Sequence, residues 1–117
     1  TDPNDPERLL AALGGPEFAV LAGVCLGAAE AGSPVVLDGL ATSVAALIAT
    51  KFSPGLHGWL VASQASREQV HHIVLAELGL EALMELRMRA GEGVGACFGA
   101  QMILTGLQVR RTAARTC

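Results

Sequence analysis

A three-residue apolar run, Val35–Leu37, lies between Pro34 and a turn that begins at Asp38, and it constrains the fold more than any other feature of the chain. Short, unbroken apolar runs with turn residues at both ends are typical of strands buried on both faces of a parallel sheet. A second run of this kind, Leu60–Ala62, follows after a helical pattern. The sequence therefore predicts an α/β fold that is rich in helix and contains two short parallel strands.

Helical spacing of apolar residues, with capping residues or glycine at the ends, accounts for most of the remaining sequence. The fourth helix is predicted to begin at Ser66, where the sequence has capping-box form, and to end at Gly79. The fifth is predicted because charged residues recur in it at four-residue spacing. The six predicted helices cover residues 6–13, 16–31, 40–51, 66–78, 80–89 and 94–109.

Two short strands among six helices are too few strands for an independent α/β domain. A two-stranded sheet leaves both edges open, and 51% of the 117 residues are hydrophobic, which exceeds what so small a body can bury. With only one tryptophan and three phenylalanines, the core must consist mainly of Ala, Val, Leu and Ile, with glycine permitting close helix packing. We expect residues 1–117 to form a single region that packs against the rest of its fold, a partner or a second copy.

Charge and cysteine content exclude several classes of function. Eight basic and eleven acidic residues give a net charge of −3, whereas nucleic-acid binding requires a basic surface, so no nucleic-acid partner is expected. Three widely spaced cysteines fit neither a disulfide framework nor a zinc site and favour a reducing cytoplasm. Adjacent His71 and His72 point in different directions on a helix, so no metal is predicted. The uncharged run at 93–109 is short for a membrane span and contains glutamines.

Candidate binding residues follow each predicted strand. Asp38 and Gly39 come directly after the first, at the edge of a parallel sheet where ligands bind, although Asp38 could instead cap the next helix. Ser63 and Ser66 follow the second strand. A hydroxyl and free amide groups at a helix N-terminus would suit a phosphate, but Ser66 could also serve only as a cap.

A single carboxylate, Glu92, lies among glycines in the segment 91–96 (GEGVGA), just ahead of the last predicted helix. Glycines allow a ligand to approach the backbone closely, and an isolated glutamate at such a turn is a candidate proton acceptor. The alternative is a glutamate that stabilises the helix N-terminus through the helix dipole. That setting would lower the pKa of Glu92 and weaken it as a base unless the pocket is partly desolvated.

Four ordered segments are similar to one enzyme family: 14–17 (GGPE), 34–39 (PVVLDG), 63–68 (SQASRE) and 88–96 (MRAGEGVGA). Nearly the whole chain resembles the C-terminal third of the nicotinate-nucleotide–dimethylbenzimidazole phosphoribosyltransferases. The resemblance implies the end of a Rossmann-like parallel-sheet domain together with helices of a small helical domain. It also implies that the N-terminal two thirds of the fold, with most of the sheet, are not in this sequence.

The resemblance implies transfer of phosphoribosyl from nicotinate mononucleotide to 5,6-dimethylbenzimidazole, which gives α-ribazole 5′-phosphate and nicotinate without a metal or cofactor. Glu92 would be the general base, and Ser66 would lie at the phosphate end. A homodimer is also expected. The other implied substrate-binding residues are Asp38, Gly39, Ser63, Ala90, Gly91 and Gly93.

Three positions depart from the family pattern. Gln64 stands where the family commonly has histidine, Val70 where it has glycine, and Ala90 where it has leucine. The smaller Ala90 could widen the base pocket, so a transferase for another aromatic base is one alternative function. Others are a non-catalytic homologue that acts as a binding or assembly module, and a helical protein that binds a membrane or a partner.

Overall fold

Both predicted strands form and pair in parallel. A computed structural model of the chain describes residues 5–13, 15–85 and 93–113. Strand β1 (Val35–Leu37) and strand β2 (Leu60–Ala62) form a two-stranded sheet in which Val36 lies opposite Val61. The predictions of two short parallel strands and of a helix-rich α/β fold are confirmed.

Helices form at most of the predicted positions. Helix α4 (Gln69–Leu78) is capped at its C-terminus by Gly79, which has φ +69° and therefore adopts the left-handed conformation that glycine accepts without strain. A 3-10 helix, Pro54–Trp59, connects the third helix to β2. The α-helices of the described ranges are α1 (Pro6–Leu13), α2 (Pro16–Glu30), α3 (Leu40–Phe52), α4 (Gln69–Leu78) and α5 (Val94–Ala113).

The predicted start of α4 at Ser66 is wrong, because the helix begins three residues later and Glu68 occupies its N-cap position. The Ser66 hydroxyl accepts a hydrogen bond from the Glu68 amide at 3.3 Å and lies 2.9 Å from Nδ1 of His71. Ser66 therefore stabilises the turn before the helix and does not cap its first turn.

The helix predicted at 80–89 is also wrong over its described part. Residues 80–85 are not helical, and residues 86–89 lie outside the described ranges. The Leu83 amide donates to the Ala62 carbonyl at 3.0 Å, and the Met84 amide donates to the Ser63 carbonyl at 3.0 Å. The segment thus runs beside the end of β2, with Met84 in a parallel bridge to Gln64.

The sheet lies between α5 and a layer formed by the other helices. Val35 and Leu37 face the main hydrophobic cluster, to which α2, α3 and α4 contribute, whereas Val36 faces Gly99 of α5. This alternation follows from the two-residue period of a strand. As predicted, the core consists mainly of small and aliphatic side chains: Ala22, Cys25, Leu37, Ala46, Ala49, Leu56, Leu60, Val74 and Leu78.

Close contact between α5 and the sheet depends on Gly99. A Cβ at this position would lie 2.7 Å from the Ser63 Cβ and 3.3 Å from the Ser63 Cα. We therefore expect Gly99→Ala to lower the free energy of unfolding, since overpacking costs about 1–3 kcal/mol and outweighs the gain in helix propensity of about 1 kcal/mol. Urea unfolding of the protein measures the effect.

Gly106→Ala is the matched control, because Gly106 lies in the same helix and a Cβ there would meet no atom of the described part of the chain within 4 Å. Both substitutions gain the same helix propensity, so the difference between them isolates the cost of the contact with Ser63. Gly106→Ala should raise stability. Equal effects of the two substitutions would show that α5 does not pack closely on the sheet.

Candidate functional site

The chain leaves both strands at the same edge of the sheet, and the N-terminus of α5 meets them there. Asp38 and Ser63 directly follow β1 and β2, and both are buried. Since carboxyl ends of parallel strands are the usual ligand-binding edge of such sheets, this is the candidate site. We call Asp38, Gly39, Ser63, Gln64 and the first turn of α5 the strand-end cluster.

Asp38 joins β1 to α5. Its Oδ2 accepts a hydrogen bond from the Gly93 amide at 3.1 Å, and its Oδ1 accepts one from the Ala96 amide at 3.2 Å. A carboxylate at this place also interacts favourably with the helix dipole. Asp38 therefore caps a helix, as one sequence interpretation held, but the helix is α5 and not α3, which follows it in the chain.

Thr42 organises the turn between β1 and α3. Its Oγ1 accepts hydrogen bonds from the amides of Asp38 at 2.9 Å and Gly39 at 3.1 Å, and it donates to the Gly39 carbonyl at 3.0 Å. A Cβ on Gly39 would meet no heavy atom of the described residues within 4 Å. The turn thus leaves open space beside Gly39 while its amide is already engaged.

Ser63 is fully buried, and its hydroxyl donates to the Leu37 carbonyl at 2.5 Å. The Ser63 amide donates to the same carbonyl at 3.2 Å. The residue therefore extends the pairing of the two strands beyond β2. Contact between Ser63 and a substrate stays a prediction.

His71 is a member of the site that the sequence interpretation considered only as a metal ligand. Its side chain is 1% exposed, with Nε2 3.1 Å from the Ser43 hydroxyl. Nδ1 accepts a hydrogen bond from the Ser66 amide at 3.1 Å. The neutral ring therefore carries its proton on Nε2, which donates to the Ser43 hydroxyl. The Ser43 hydroxyl in turn donates to the Gly39 carbonyl at 2.7 Å. This chain of hydrogen bonds links the turns after β1 and β2.

Burial lowers the pKa of His71 below its ordinary 6.5, and the neighbouring His72 adds to the lowering, while Glu68 and Asp38 oppose it. The unfolded chain therefore binds a proton at this position before the folded protein does as the pH falls. We expect the free energy of unfolding to be unaffected by His71 above about pH 6.5 and to decrease below it, by at most about 1.4 kcal/mol per pH unit. Urea unfolding between pH 5 and 8 measures this.

His71→Gln should make the free energy of unfolding less dependent on pH between pH 5 and 6.5, even if it lowers stability at every pH. The matched control is His57→Gln, because His57 is exposed in the 3-10 helix. Loss of the same slope in His57→Gln, or its persistence in His71→Gln, would assign the dependence to other groups.

Three of the predicted site residues, Ala90, Gly91 and Glu92, lie outside the described residues. Gly93 is described: it has φ +83°, and its amide is bound by Asp38. Of the predicted site residues, Asp38, Gly39 and Ser63 are therefore in the strand-end cluster, and Gly93 adjoins it directly before α5. The hydrogen bonds of His71 connect Ser66 to the cluster.

Within residues 5–13, 15–85 and 93–113, no three His, Cys, Asp or Glu side chains come together as metal ligands would. The helices described also include none that is both long and apolar enough to cross a bilayer.

Residues 1–116 match a protein-family model that is described as a phosphoribosyltransferase. The nicotinate-nucleotide–dimethylbenzimidazole phosphoribosyltransferase of Desulforudis audaxviator (strain MP104C) is 42% identical over 109 residues, which are 93% of this chain and 31% of the relative. The protein of that name from Mycobacterium tuberculosis (strain ATCC 25618 / H37Rv) is 45% identical over 100 residues, 86% of this chain and 27% of the relative.

A solved structure gives the same result. The crystal structure of CobT from Thermus thermophilus superimposes with a TM-score of 0.82 at 39% identity, over 87% of this chain and 31% of that chain. The chain belongs to the nicotinate-nucleotide–dimethylbenzimidazole phosphoribosyltransferase family, which confirms the resemblance seen in the sequence. It spans less than a third of the length of these relatives.

Proposed function

We propose that this chain is the C-terminal segment of a larger phosphoribosyltransferase fold and contributes the proton acceptor of the reaction. The reaction is transfer of phosphoribosyl from nicotinate mononucleotide to 5,6-dimethylbenzimidazole, giving α-ribazole 5′-phosphate and nicotinate. The names of the relatives support nicotinate nucleotide and dimethylbenzimidazole as substrates.

One structural observation carries the proposal. The Asp38 carboxylate fixes Gly93 and the first turn of α5 at the carboxyl end of the sheet. Because Glu92 directly precedes Gly93 in the sequence, this attachment favours a role for Glu92 at the same edge. A Cβ on Gly93 would meet no heavy atom of the described residues within 4 Å, so the backbone there is open to close approach.

In the proposed mechanism, Glu92 removes the proton from one ring nitrogen of dimethylbenzimidazole. The other nitrogen attacks C1′ of the ribose with inversion, and the bond from C1′ to the pyridinium nitrogen breaks. Its electron pair leaves with nicotinate, and the proton remains on Glu92. The pyridinium is already a good leaving group, so one positioned base and a bound phosphate are sufficient chemical requirements.

Ser66 is proposed to lie at the phosphate end of the nucleotide. The turn from Ser63 to Glu68 is ordered by His71, whose Nδ1 accepts the Ser66 amide and approaches the Ser66 hydroxyl at 2.9 Å. Gly39, with open space beside it, would line the same cleft as Asp38. Ala90 and Gly91 are also proposed to contact the base.

Exposed apolar side chains support a larger fold around this segment. Large hydrophobic residues on α2 and α5 are about half exposed, which is costly to leave in water. We propose that the remainder of the phosphoribosyltransferase fold covers them and that the assembled protein is a homodimer. The residues concerned are Val20, Val24, Phe98, Met102, Leu104, Leu107 and Val109.

A product assay tests the proposal: the intact protein that carries this sequence is incubated with nicotinate mononucleotide and dimethylbenzimidazole, and α-ribazole 5′-phosphate is separated by chromatography. Product formation is expected. Its absence would favour a non-catalytic binding module.

Competition with adenine or a phenol then tests the choice of base, and Ala90→Leu should shift that choice if the small side chain enlarges the pocket.

A further inference from the structure

The side-chain amide of Gln64 is buried without a hydrogen-bond partner for its oxygen. Gln64 is 5% exposed, and within the described part of the chain Oε1 accepts no hydrogen bond. Its backbone, in contrast, is in the parallel bridge to Met84. Burial of an unpaired amide oxygen destabilises a folded protein, so this oxygen requires a hydrogen-bond donor that the described part of the chain does not supply.

The Gln64 amide lies against the N-terminus of α5. A Cβ on Gly95 would overlap the end of the Gln64 side chain and would be 2.8 Å from its Cγ. Only glycine at position 95 leaves room for the amide there. The unpaired group is therefore inside the strand-end cluster, next to the helix turn that Asp38 binds.

The negative charge of Asp38 determines which kind of ligand can bind next to Gln64. Its carboxylate already binds the amides of Gly93 and Ala96, so a negative charge is present at the helix N-terminus. A second anion, such as a phosphate, would be repelled by it. A neutral group that both donates and accepts hydrogen bonds, as a sugar hydroxyl does, matches the neutral Gln64 amide.

Position along the chain identifies the sugar. Gln64 is two residues from Ser66, proposed for the phosphate end, and packs on the turn that follows Glu92, proposed for the base. In a nucleotide the ribose lies between phosphate and base. We propose that Gln64 binds a ribose hydroxyl of the nucleotide substrate through Oε1 and so makes the enzyme selective for ribonucleotides, an inference that rests on the proposed function.

The test compares Gln64→Met with the unsubstituted intact protein on nicotinate mononucleotide and its 2′-deoxy and 3′-deoxy analogues. Met has nearly the shape of Gln but no amide, so the loss of one neutral hydrogen bond should raise KM for the ribonucleotide about tenfold. For one of the two deoxy analogues, the KM values of the two proteins should be nearly equal. Because an unpaired buried amide is removed, the midpoint of thermal unfolding without ligand should rise.

Gln101→Leu is the control, since Gln101 is an exposed amide on α5, the helix against which Gln64 packs, and its loss should change neither KM nor the preference for ribose. Equal losses for Gln64→Met on all three nucleotides, or a lower unfolding midpoint, would overturn the inference while the transferase activity stands. Absence of α-ribazole 5′-phosphate from the unsubstituted protein would instead overturn the proposed function and this inference with it.

Discussion

Glu92→Gln should lower kcat for α-ribazole 5′-phosphate formation by about 10²–10⁴-fold, with little change in KM for nicotinate mononucleotide. Glutamine keeps the size of glutamate and one acceptor oxygen but cannot take up the proton of the benzimidazole. The nucleotide is bound before that proton moves, so its affinity should not depend on the carboxylate. Steady-state kinetics with varied nucleotide and saturating base measure both quantities.

Glu81→Gln is the matched control, because Glu81 is exposed on the segment after α4 and should leave the kinetics unchanged. A loss in Glu92→Gln of less than tenfold, or one confined to KM, would show that Glu92 does not act as the base. It would then be a glutamate that stabilises the α5 N-terminus, the alternative that its place in the sequence leaves open.

The strands were predictable because their signals are local. Pro34 and Asp38 bound a run too short for a helix, and three apolar residues without alternation indicate burial on both faces. The same reasoning found Leu60–Ala62, and the parallel pairing followed from the helical pattern between the runs. Local sequence was sufficient here because residues next to a strand, such as Pro34 and Asp38 at β1, themselves mark where it begins and ends.

The two errors in helix assignment arose where long-range contacts override local preference. Glu81 and Glu85 have helical spacing, but the backbone between them donates to Ala62 and Ser63 at the end of β2. Those bonds extend the sheet edge and are incompatible with a helix over 80–85. Similarly, the hydroxyl of Ser66 lies beside His71 five residues later, so the capping-box pattern did not locate the first turn of α4.

The sequence predicted where site residues lie relative to the strands, but it did not predict which residues they contact. Placing Asp38 after a buried strand followed from the sequence, whereas its bonds to an amide 55 residues later required the fold. His71 could have been found, since His71, Val74, Leu75 and Leu78 recur at helical spacing and form the buried face of α4. A histidine on such a stripe needs hydrogen-bond partners, and the two turns of the site supply them.

Asp38→Ala should lower the free energy of unfolding by about 2–4 kcal/mol, because it removes two hydrogen bonds from a charged acceptor and leaves the amides of Gly93 and Ala96 without that partner. The first turn of α5 should then no longer be fixed to β1, so transferase activity should fall by at least about tenfold. Asp38→Asn retains one acceptor oxygen, so its stability and activity should lie between those of the unsubstituted protein and those of Asp38→Ala. Urea unfolding and the product assay measure the effects.

Asp5→Ala separates this tertiary role from ordinary helix capping. Oδ1 of Asp5 accepts the amides of Glu7 at 3.2 Å and Arg8 at 3.3 Å, so it makes a similar pair of bonds, but to the helix that directly follows it and in an exposed setting. Its loss should cost about 1 kcal/mol and leave activity unchanged. If Asp38→Ala were no more damaging than Asp5→Ala, the carboxylate would be an ordinary cap, and the attachment of α5 to the sheet would depend on the packing of Gly99 against Ser63.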